Sequence, residues 1–356
     1  MTAGNTAASV RFEGVVKAFG EVVAVRDLSF TIEPGSLVTL LGPSGCGKTT
    51  TLRLIAGLEM STSGKILIGE QEVTKLPASE RDVCMVFQSY ALFPHMTVLE
   101  NVAYGLSVSG MPKAEAHAKA EQQLALVGLK GFGARLPSEL SGGQQQRVAV
   151  ARALILEPQV LLFDEPLSNL DAKLRRHVRQ EICDLQQSLG LTTVYVTHDQ
   201  EEALAVSDRI IVMRNAEIAQ TGTPHELYEE PADLFVADFI GDANVVTGEI
   251  KTLEGAQAVV DIGGVERRLP HRGLPPGEVD VAIRPEAIHL SRDRVNNSLS
   301  GTVSKATYLG SHLEYSVETP LGELFVIEHR VDAFAPPGTT VSVVMADRGV
   351  TLVGSR

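Results

Sequence analysis

Eight residues, Gly42-Pro43-Ser44-Gly45-Cys46-Gly47-Lys48-Thr49, have the spacing GxxxxGK followed by Ser or Thr. They follow a strand-like run, Ser36–Leu41, and open a stretch of helical composition, Lys48–Gly57. Glycines let successive backbone N–H groups turn towards phosphate oxygens, and the helix that follows adds the positive end of its dipole. Lys48 is long enough to reach β- and γ-phosphates, and the Thr49 hydroxyl suits Mg2+. The alternative, a glycine-rich turn ending by chance in Lys-Thr, is disfavoured by the strand before it and the helix after it. The segment therefore predicts a nucleoside triphosphate site. Within it, Cys46 reads as a small loop filler rather than a nucleophile.

Two further strand ends carry polar groups. Val160-Leu161-Leu162-Phe163-Asp164-Glu165 closes an apolar run with two carboxylates, and in open α/β sheets chemistry sits at the carboxyl ends of strands. Asp164 suits a role in holding Mg2+ through water, and Glu165 in polarising an attacking water. Alone, two such carboxylates would read as solvated; beside a phosphate loop they read as chemistry. Val194-Tyr195-Val196-Thr197-His198-Asp199 ends in a cluster whose His198 could donate to a phosphate oxygen, whereas most of the other histidines read as structural. Gln88, in Val86-Phe87-Gln88-Ser89, could bind Mg2+ or water and marks a hinge.

Leu140-Ser141-Gly142-Gly143-Gln144-Gln145-Gln146-Arg147 sets a serine and two glycines before a helix, an N-capped terminus and a second anion site. Two phosphate sites do not suit a simple kinase or GTPase. Taken in order, Gly42–Thr49, Gln88, Leu140–Gln144, Val160–Glu165, Ser168-Asn169-Leu170-Asp171 and His198 resemble the ATP-binding cassette (ABC) ATPases. The resemblance implies an α/β P-loop NTPase cassette with a helical subdomain, using ATP and Mg2+. It implies nucleotide contacts from Gly42 through Thr50, metal contacts from Thr49, Gln88 and Asp164, and catalytic roles for Glu165, His198 and Gln88. It also implies that Ser141, Gly142, Gly143 and Gln144 complete the site of the opposite subunit in a head-to-tail homodimer, with Asp171 in the loop coupling the two sites. Phe19 aligns with the family's adenine-stacking aromatic; ordinary core packing is the competing reading. Glu165 and His198 are both intact, which predicts a hydrolytically competent enzyme and disfavours a regulatory module without turnover.

These groups need elements to hold them. Across the first 240 residues, Gln159–Phe163, Thr192–Thr197 and Arg209–Met213 are short apolar runs separated by helix-compatible sequence, which predicts a largely parallel sheet. Between Ser89 and Ala153 the strand signal fades, and Lys113–Val127 and Gly142–Leu156 predict an inserted helical subdomain over about 89–153. Beyond Gly241 the pattern turns to short alternating or β-branched runs: Val245–Lys251, Ala256–Ile262, Val279–Ile283, Leu299–Tyr308, Leu313–Glu318, Glu323–Glu328 and Thr340–Met345. Gly/Pro turns punctuate them, predicting an all-β sandwich or small barrel. The expected division is a nucleotide-binding domain over 1–241 and an accessory domain over 242–356.

Composition narrows the function. With 31 basic and 44 acidic side chains, the net charge of −13 lacks the basic footprint of a nucleic-acid binder. The 44% hydrophobic content supports real cores. No apolar run approaches the ~18 residues of a membrane span, and Met1 to Val10 is not of signal-peptide type. Three cysteines with no metal-type spacing fit a reducing cytoplasm.

Within the family, Ser89–Val102 looks like the segment that receives a permease's coupling helix in importers, although plain packing explains Leu92 and Phe93 equally well. The C-terminal part, with Ile283-Arg284-Pro285-Glu286, resembles the OB- or TOBE-like accessory domain of maltose, polyamine, sulfate and ferric-iron importer ATPases. The resemblance implies the energy-coupling subunit of an ABC importer, peripheral on the cytoplasmic face of the bacterial inner membrane. Its partners would be a second copy, two permease subunits and a solute-binding protein, with no nucleic acid. Leu140–Arg152 and Ala203–Ser207 look most like the ferric-iron, polyamine and 2-aminoethylphosphonate import ATPases, and the expected solute is ferric iron, with 2-aminoethylphosphonate and polyamines as alternatives. A soluble cassette ATPase acting on nucleic acid or ribosomes is the reading of another class; it is disfavoured by one cassette, no heptad run and the acidic balance.

Overall fold

The computed structural model describes residues 7–168, 170–332 and 334–354. Asn169, within the Ser168–Asp171 segment singled out above, lies outside the described residues. The chain divides into two compact units, residues 1–224 and 225–356.

The first unit is built on a six-stranded sheet whose order is 217–222, 209–214, 37–41, 192–197, 160–164, 83–86. All neighbours run parallel except 209–214 and 217–222, which pair antiparallel. Side chains alternate across a strand, and the cores divide accordingly. Val38, Leu40, Val160, Leu162, Val194 and Val196 face one core with Leu52 and Ile55 of helix α1 (Lys48–Ala56). Leu37, Leu161, Phe163 and Tyr195 face the other. Burial on both faces explains why these strands read as continuous apolar runs.

On the first face lies an element the sequence reading missed, an antiparallel sheet of four strands in the order 22–32, 10–19, 63–68, 71–72. Register shifts between Phe12 and Val15 and between Val15 and Lys17 interrupt its two-residue period, which hides the strand pattern.

The helical insert contains α2 (Val98–Val108), α3 (Lys113–Leu126) and α4 (Gly142–Leu154) around Val98, Val102, Ala120, Leu124 and Val148. Thr97 and Glu100 form a reciprocal capping box that starts α2. Helix α4 belongs to two cores: Val148 and Ala151 face the insert, and Ala149, Val150 and Ala153 face the sheet. Beside it, Val178 and Ile182 of α5 (Ala172–Leu189) cover the same sheet face. Helix α6 (Gln200–Val206) completes the unit's helices.

The second unit is two five-stranded antiparallel sheets, in the orders 265–270, 257–262, 244–254, 277–283, 350–353 and 288–291, 340–345, 299–308, 313–319, 322–328. Val260, Val281, Val303, Val317 and Val343 share one core between them. Three of these strands, 265–270, 288–291 and 350–353, were not anticipated. The unit also takes in α7 (Pro224–Glu229), from His225 onward, and α8 (Leu234–Phe239). It therefore begins before the expected 242. Buried Arg284 supplies the reason: its guanidinium donates to Ala237 O at 2.6 Å and to the carbonyls of Ile240 and Tyr228. Burial lowers the Arg284 pKa to about 10. Among the described residues no helix is long and apolar enough to cross a membrane.

Candidate nucleotide site

Parallel register brings the polar residues to one edge. Leu41 pairs with Thr197 and Asp164 with Val196, so Gly42, Glu165 and His198 leave their strands side by side. Val86 pairs with Phe163, which sets Gln88 and Glu165 each two residues beyond that pair, with Gln88 exposed.

The loop after Leu41 turns into α1 at Gly47, whose φ of 105° is closed to most side chains and whose Cβ would lie 2.4 Å from Ala24 O. Lys48 is buried, and its ammonium donates to Gly42 O at 2.6 Å and Pro43 O at 3.0 Å. The same amine is 3.9 Å from Cys46 Sγ. Cys46 is buried in the core, and burial pushes its thiol up, consistent with a filler rather than a nucleophile. At the start of α1 the first N–H groups have no intrahelical acceptor and can serve phosphate oxygens.

Thr49 Oγ1 donates to Asp164 Oδ1 at 3.5 Å. Burial raises the Asp164 pKa above its ordinary range, opposed chiefly by Arg53. A hydroxyl and a carboxylate are hard oxygen donors, and they fit Mg2+, which keeps water and substrate phosphates among its ligands. Among the described residues no group of three or more His, Cys, Asp or Glu could hold a metal ion by itself.

Glu165 has φ 45°, in the left-handed region, and its N–H donates to Val196 O at 3.0 Å. Its Oε2 lies 3.1 Å from His198 Nδ1. The carboxylate is largely covered while the imidazole is exposed. A base beside a donor, at the edge that also carries Lys48 and Thr49, is an arrangement for phosphoryl transfer to water.

Behind His198 lies a network the sequence reading missed. Glu202 is buried, and its carboxylate accepts from Thr197 Oγ1 at 2.5 Å and from the Tyr195 hydroxyl. Burial raises the Glu202 pKa, and the Thr197 and Tyr195 hydrogen bonds oppose that rise. Asp199 caps α6 by accepting from Glu202 N at 3.0 Å and pairs with Arg175 at 3.1 Å. Arg175 stands one turn into α5, whose N-cap is Asp171, with Oδ1 accepting from Lys173 N and Leu174 N. A charged residue four positions after a helix cap was the available signal, but its partner lies on another element.

Ser141 and Gln144 form the reciprocal box that opens α4: Ser141 N donates to Gln144 Oε1 at 3.0 Å, and Gln144 N to Ser141 Oγ at 3.4 Å. The following glycines lie close to the start of α5. A Cβ on Gly143 would meet Leu174 at 3.0 Å, and one on Gly142 would meet Leu170 at 3.1 Å. Phe19 ends its strand with 48% of its surface exposed, which excludes the core-packing reading, and the Lys17 ammonium lies 4.4 Å from its ring centroid. Leu92 and Phe93 are partly buried; Phe93 packs on Tyr104 at 4.6 Å.

Comparison with known proteins fits this geometry. The ABC transporter family model matches residues 25–168, and the TOBE domain model matches residues 281–353. The Fe(3+) ions import ATP-binding protein FbpC of Rhizobium etli is 62% identical over 346 residues, covering 97% of this chain and 98% of the relative. The chain belongs to the ATP-binding proteins of ABC transporters. The Fe(3+) ions import ATP-binding protein FbpC of Vibrio cholerae is 50% identical to this chain over 310 residues, 87% of each chain. A dimeric post-hydrolysis state of the ATP-binding cassette MJ0796, bound to ADP and Pi, is 34% identical, with a TM-score of 0.54. That match covers 60% of this chain and 98% of the other. As an ABC ATPase, this protein binds and hydrolyses ATP, and its C-terminal part carries a TOBE domain.

Proposed function

We propose that this ABC ATPase is the energy-coupling subunit of a ferric-iron importer. The observation that carries the solute is its 62% identity, across 97% of its length, to an Fe(3+) import ATP-binding protein. The partners are two permease subunits and an iron-binding protein, and the chain sits peripherally on the cytoplasmic face of the inner membrane. It works as a homodimer, since one chain holds a single set of motifs and the solved relative is dimeric.

Each nucleotide is held between Gly42–Thr50 of one copy and Ser141–Gln144 of the other. The adenine stacks on Phe19, whose half-exposed ring supports that role. Lys48 exchanges its two carbonyl acceptors for phosphate oxygens. Thr49, Asp164 and Gln88 hold Mg2+, which neutralises charge on the phosphates when bound. Glu165 orients the attacking water and takes its proton. His198, whose Nδ1 lies 3.1 Å from Glu165 Oε2, offers its other ring nitrogen, Nε2, to the γ-phosphate. Asp171 couples the two sites through α5.

Deleting the gene in its host and measuring uptake of labelled ferric iron tests this. Uptake should fall and be restored by the wild-type gene but not by Glu165→Gln. Unchanged iron uptake with loss of phosphonate or polyamine uptake would overturn the solute and leave the ATPase reading standing.

A further inference from the structure

Lys17 and Phe19 stand two residues apart at the end of strand 10–19, so their side chains share a face. Lysines are mostly exposed, but only 13% of the Lys17 side chain is. Its ammonium pairs with Glu59 Oε2 at 3.0 Å, donates to Met60 O at 2.9 Å and lies over the Phe19 ring, 4.4 Å from the centroid. Two of its three N–H donors are thus spent on residues 59 and 60, while the charge rests on one face of the ring. That is cation–π geometry. Phe19 keeps about half its surface open.

The residues that hold the ammonium belong to the phosphate side of the site. Leu58 N and Glu59 N donate to Arg53 O at 3.0 and 3.2 Å, which fastens their loop to the last turn of α1, the helix that opens at Lys48. Thr62 N donates to Val16 O at 2.7 Å, and Ala18 N to Thr62 Oγ1 at 3.0 Å. The same loop is therefore stitched to the strand of Phe19 on both sides of Lys17. A second contact comes from the neighbouring strand, 22–32. Lys17 faces Val25 and Ala18 faces Val23, which makes Ala24 the extra residue of a bulge. The Ala24 carbonyl is the group that a Cβ on Gly47 would meet at 2.4 Å. The Phe19 hairpin is thereby set against both ends of α1.

We propose that Lys17 is a positioning residue for the base of ATP. Pinned by Glu59 and Met60, its ammonium holds one face of Phe19, so that the ring receives the adenine at a set distance from Lys48 and Thr49. Lys17 has this role only if Phe19 is the adenine platform. A cation that acts through the ring strengthens binding of ligands that carry a base, whereas a cation that acts on the phosphates strengthens binding of any polyphosphate.

Calorimetry on the full chain without Mg2+, so that ATP is not turned over, compares ATP with inorganic tripolyphosphate, which has the phosphates and no base. Lys17→Met should weaken ATP at least threefold, inside the roughly 2- to 30-fold that a cation–π contact is worth, and leave tripolyphosphate within twofold. Lys17→Arg, which keeps a cation against the ring, should bind ATP within twofold of wild type. In a Phe19→Ala chain the added Lys17→Met should cost less than twofold, because the ring through which it acts is gone. With Mg2+ present, Lys17→Met should raise KM for ATP and leave kcat within twofold. If Lys17→Met melts below wild type, Lys17→Met combined with Glu59→Gln, which leaves no unpaired carboxylate, replaces it. Equal weakening of ATP and tripolyphosphate, a loss that adds in full to that of Phe19→Ala, or a fall in kcat at unchanged KM would overturn the role. So would unchanged ATP affinity in Lys17→Met beside a loss in Phe19→Ala, which leaves the base stacking standing. Unchanged affinity in Phe19→Ala as well would overturn the stacking itself, and the part of Lys17 with it.

Discussion

His198 Nδ1 and Glu165 Oε2 lie 3.1 Å apart at the ends of two neighbouring parallel strands. The backbone sets this contact, because Asp164 pairs with Val196 and the Glu165 N–H still donates to Val196 O. Each side chain therefore holds the other, and they should behave as one unit.

Glu165→Gln should keep ATP binding and lower steady-state hydrolysis by about 10²–10⁴-fold, the usual contribution of a general base. His198→Ala should cost a similar factor, and the double variant should be little slower than the worse single one. Phosphate release under saturating ATP measures all three. Multiplying losses would mean that the two groups act separately.

Lys48→Ala removes the charge that the phosphates would share. Loss of charge-assisted hydrogen bonds of about 1.5–3 kcal/mol should weaken ATP binding about 10- to 150-fold. Titration with a fluorescent ATP analogue reads this directly, and wild-type affinity would remove the assignment.

Phe19→Ala should weaken ATP by about 1–3 kcal/mol, the range for a base stacked on an aromatic ring, while Phe19→Tyr should stay close to wild type. Equal affinities for all three proteins, measured by calorimetry, would leave the exposed ring without this role.

Glu202 supplies a pH signature. Burial raises its pKa in the folded protein, so the native state holds a proton that the unfolded chain releases. Its contribution is fully present below the ordinary carboxylate pKa and is lost as pH rises through the raised value. Glu202→Gln lacks that loss. Its stability relative to wild type, from urea denaturation, should grow as pH climbs from about 4.5 through the raised value. A flat difference would place the carboxylate in an ordinary environment.

Arg284→Leu should destabilise the second unit by at least about 3 kcal/mol, since several hydrogen bonds from one charged group each contribute about 1.5–3 kcal/mol. Ala237 O, Ile240 O and Tyr228 O would lose their common donor. Urea unfolding of the full chain should show this as an earlier transition.

The nucleotide edge was legible because local spacing encodes it. Gly47, Lys48 and Thr49 must be consecutive for the loop to turn into its helix, and apolar runs announce the strands that end at Asp164 and Thr197. What stayed hidden depends on partners far along the chain. Arg175 finds Asp199 only after the sheet has formed, and Glu202 reads as one more charged helix residue until Tyr195 and Thr197 surround it. That the second compact unit takes in α7 and α8 was hidden for a similar reason. Arg284, far downstream, draws the carbonyls of α7 and α8 to itself. In the N-terminal sheet, bulges erased the alternation that would have revealed the strands.

The left-handed backbone at Glu165, φ 45°, has a consequence for how this chain can change. A side chain held there costs on the order of 1–3 kcal/mol, which glycine would recover. The substitution that most relaxes this turn is thus the one that deletes the proposed base. Selection for a sturdier fold alone would silence the enzyme here, so robustness and turnover pull in opposite directions at a single codon.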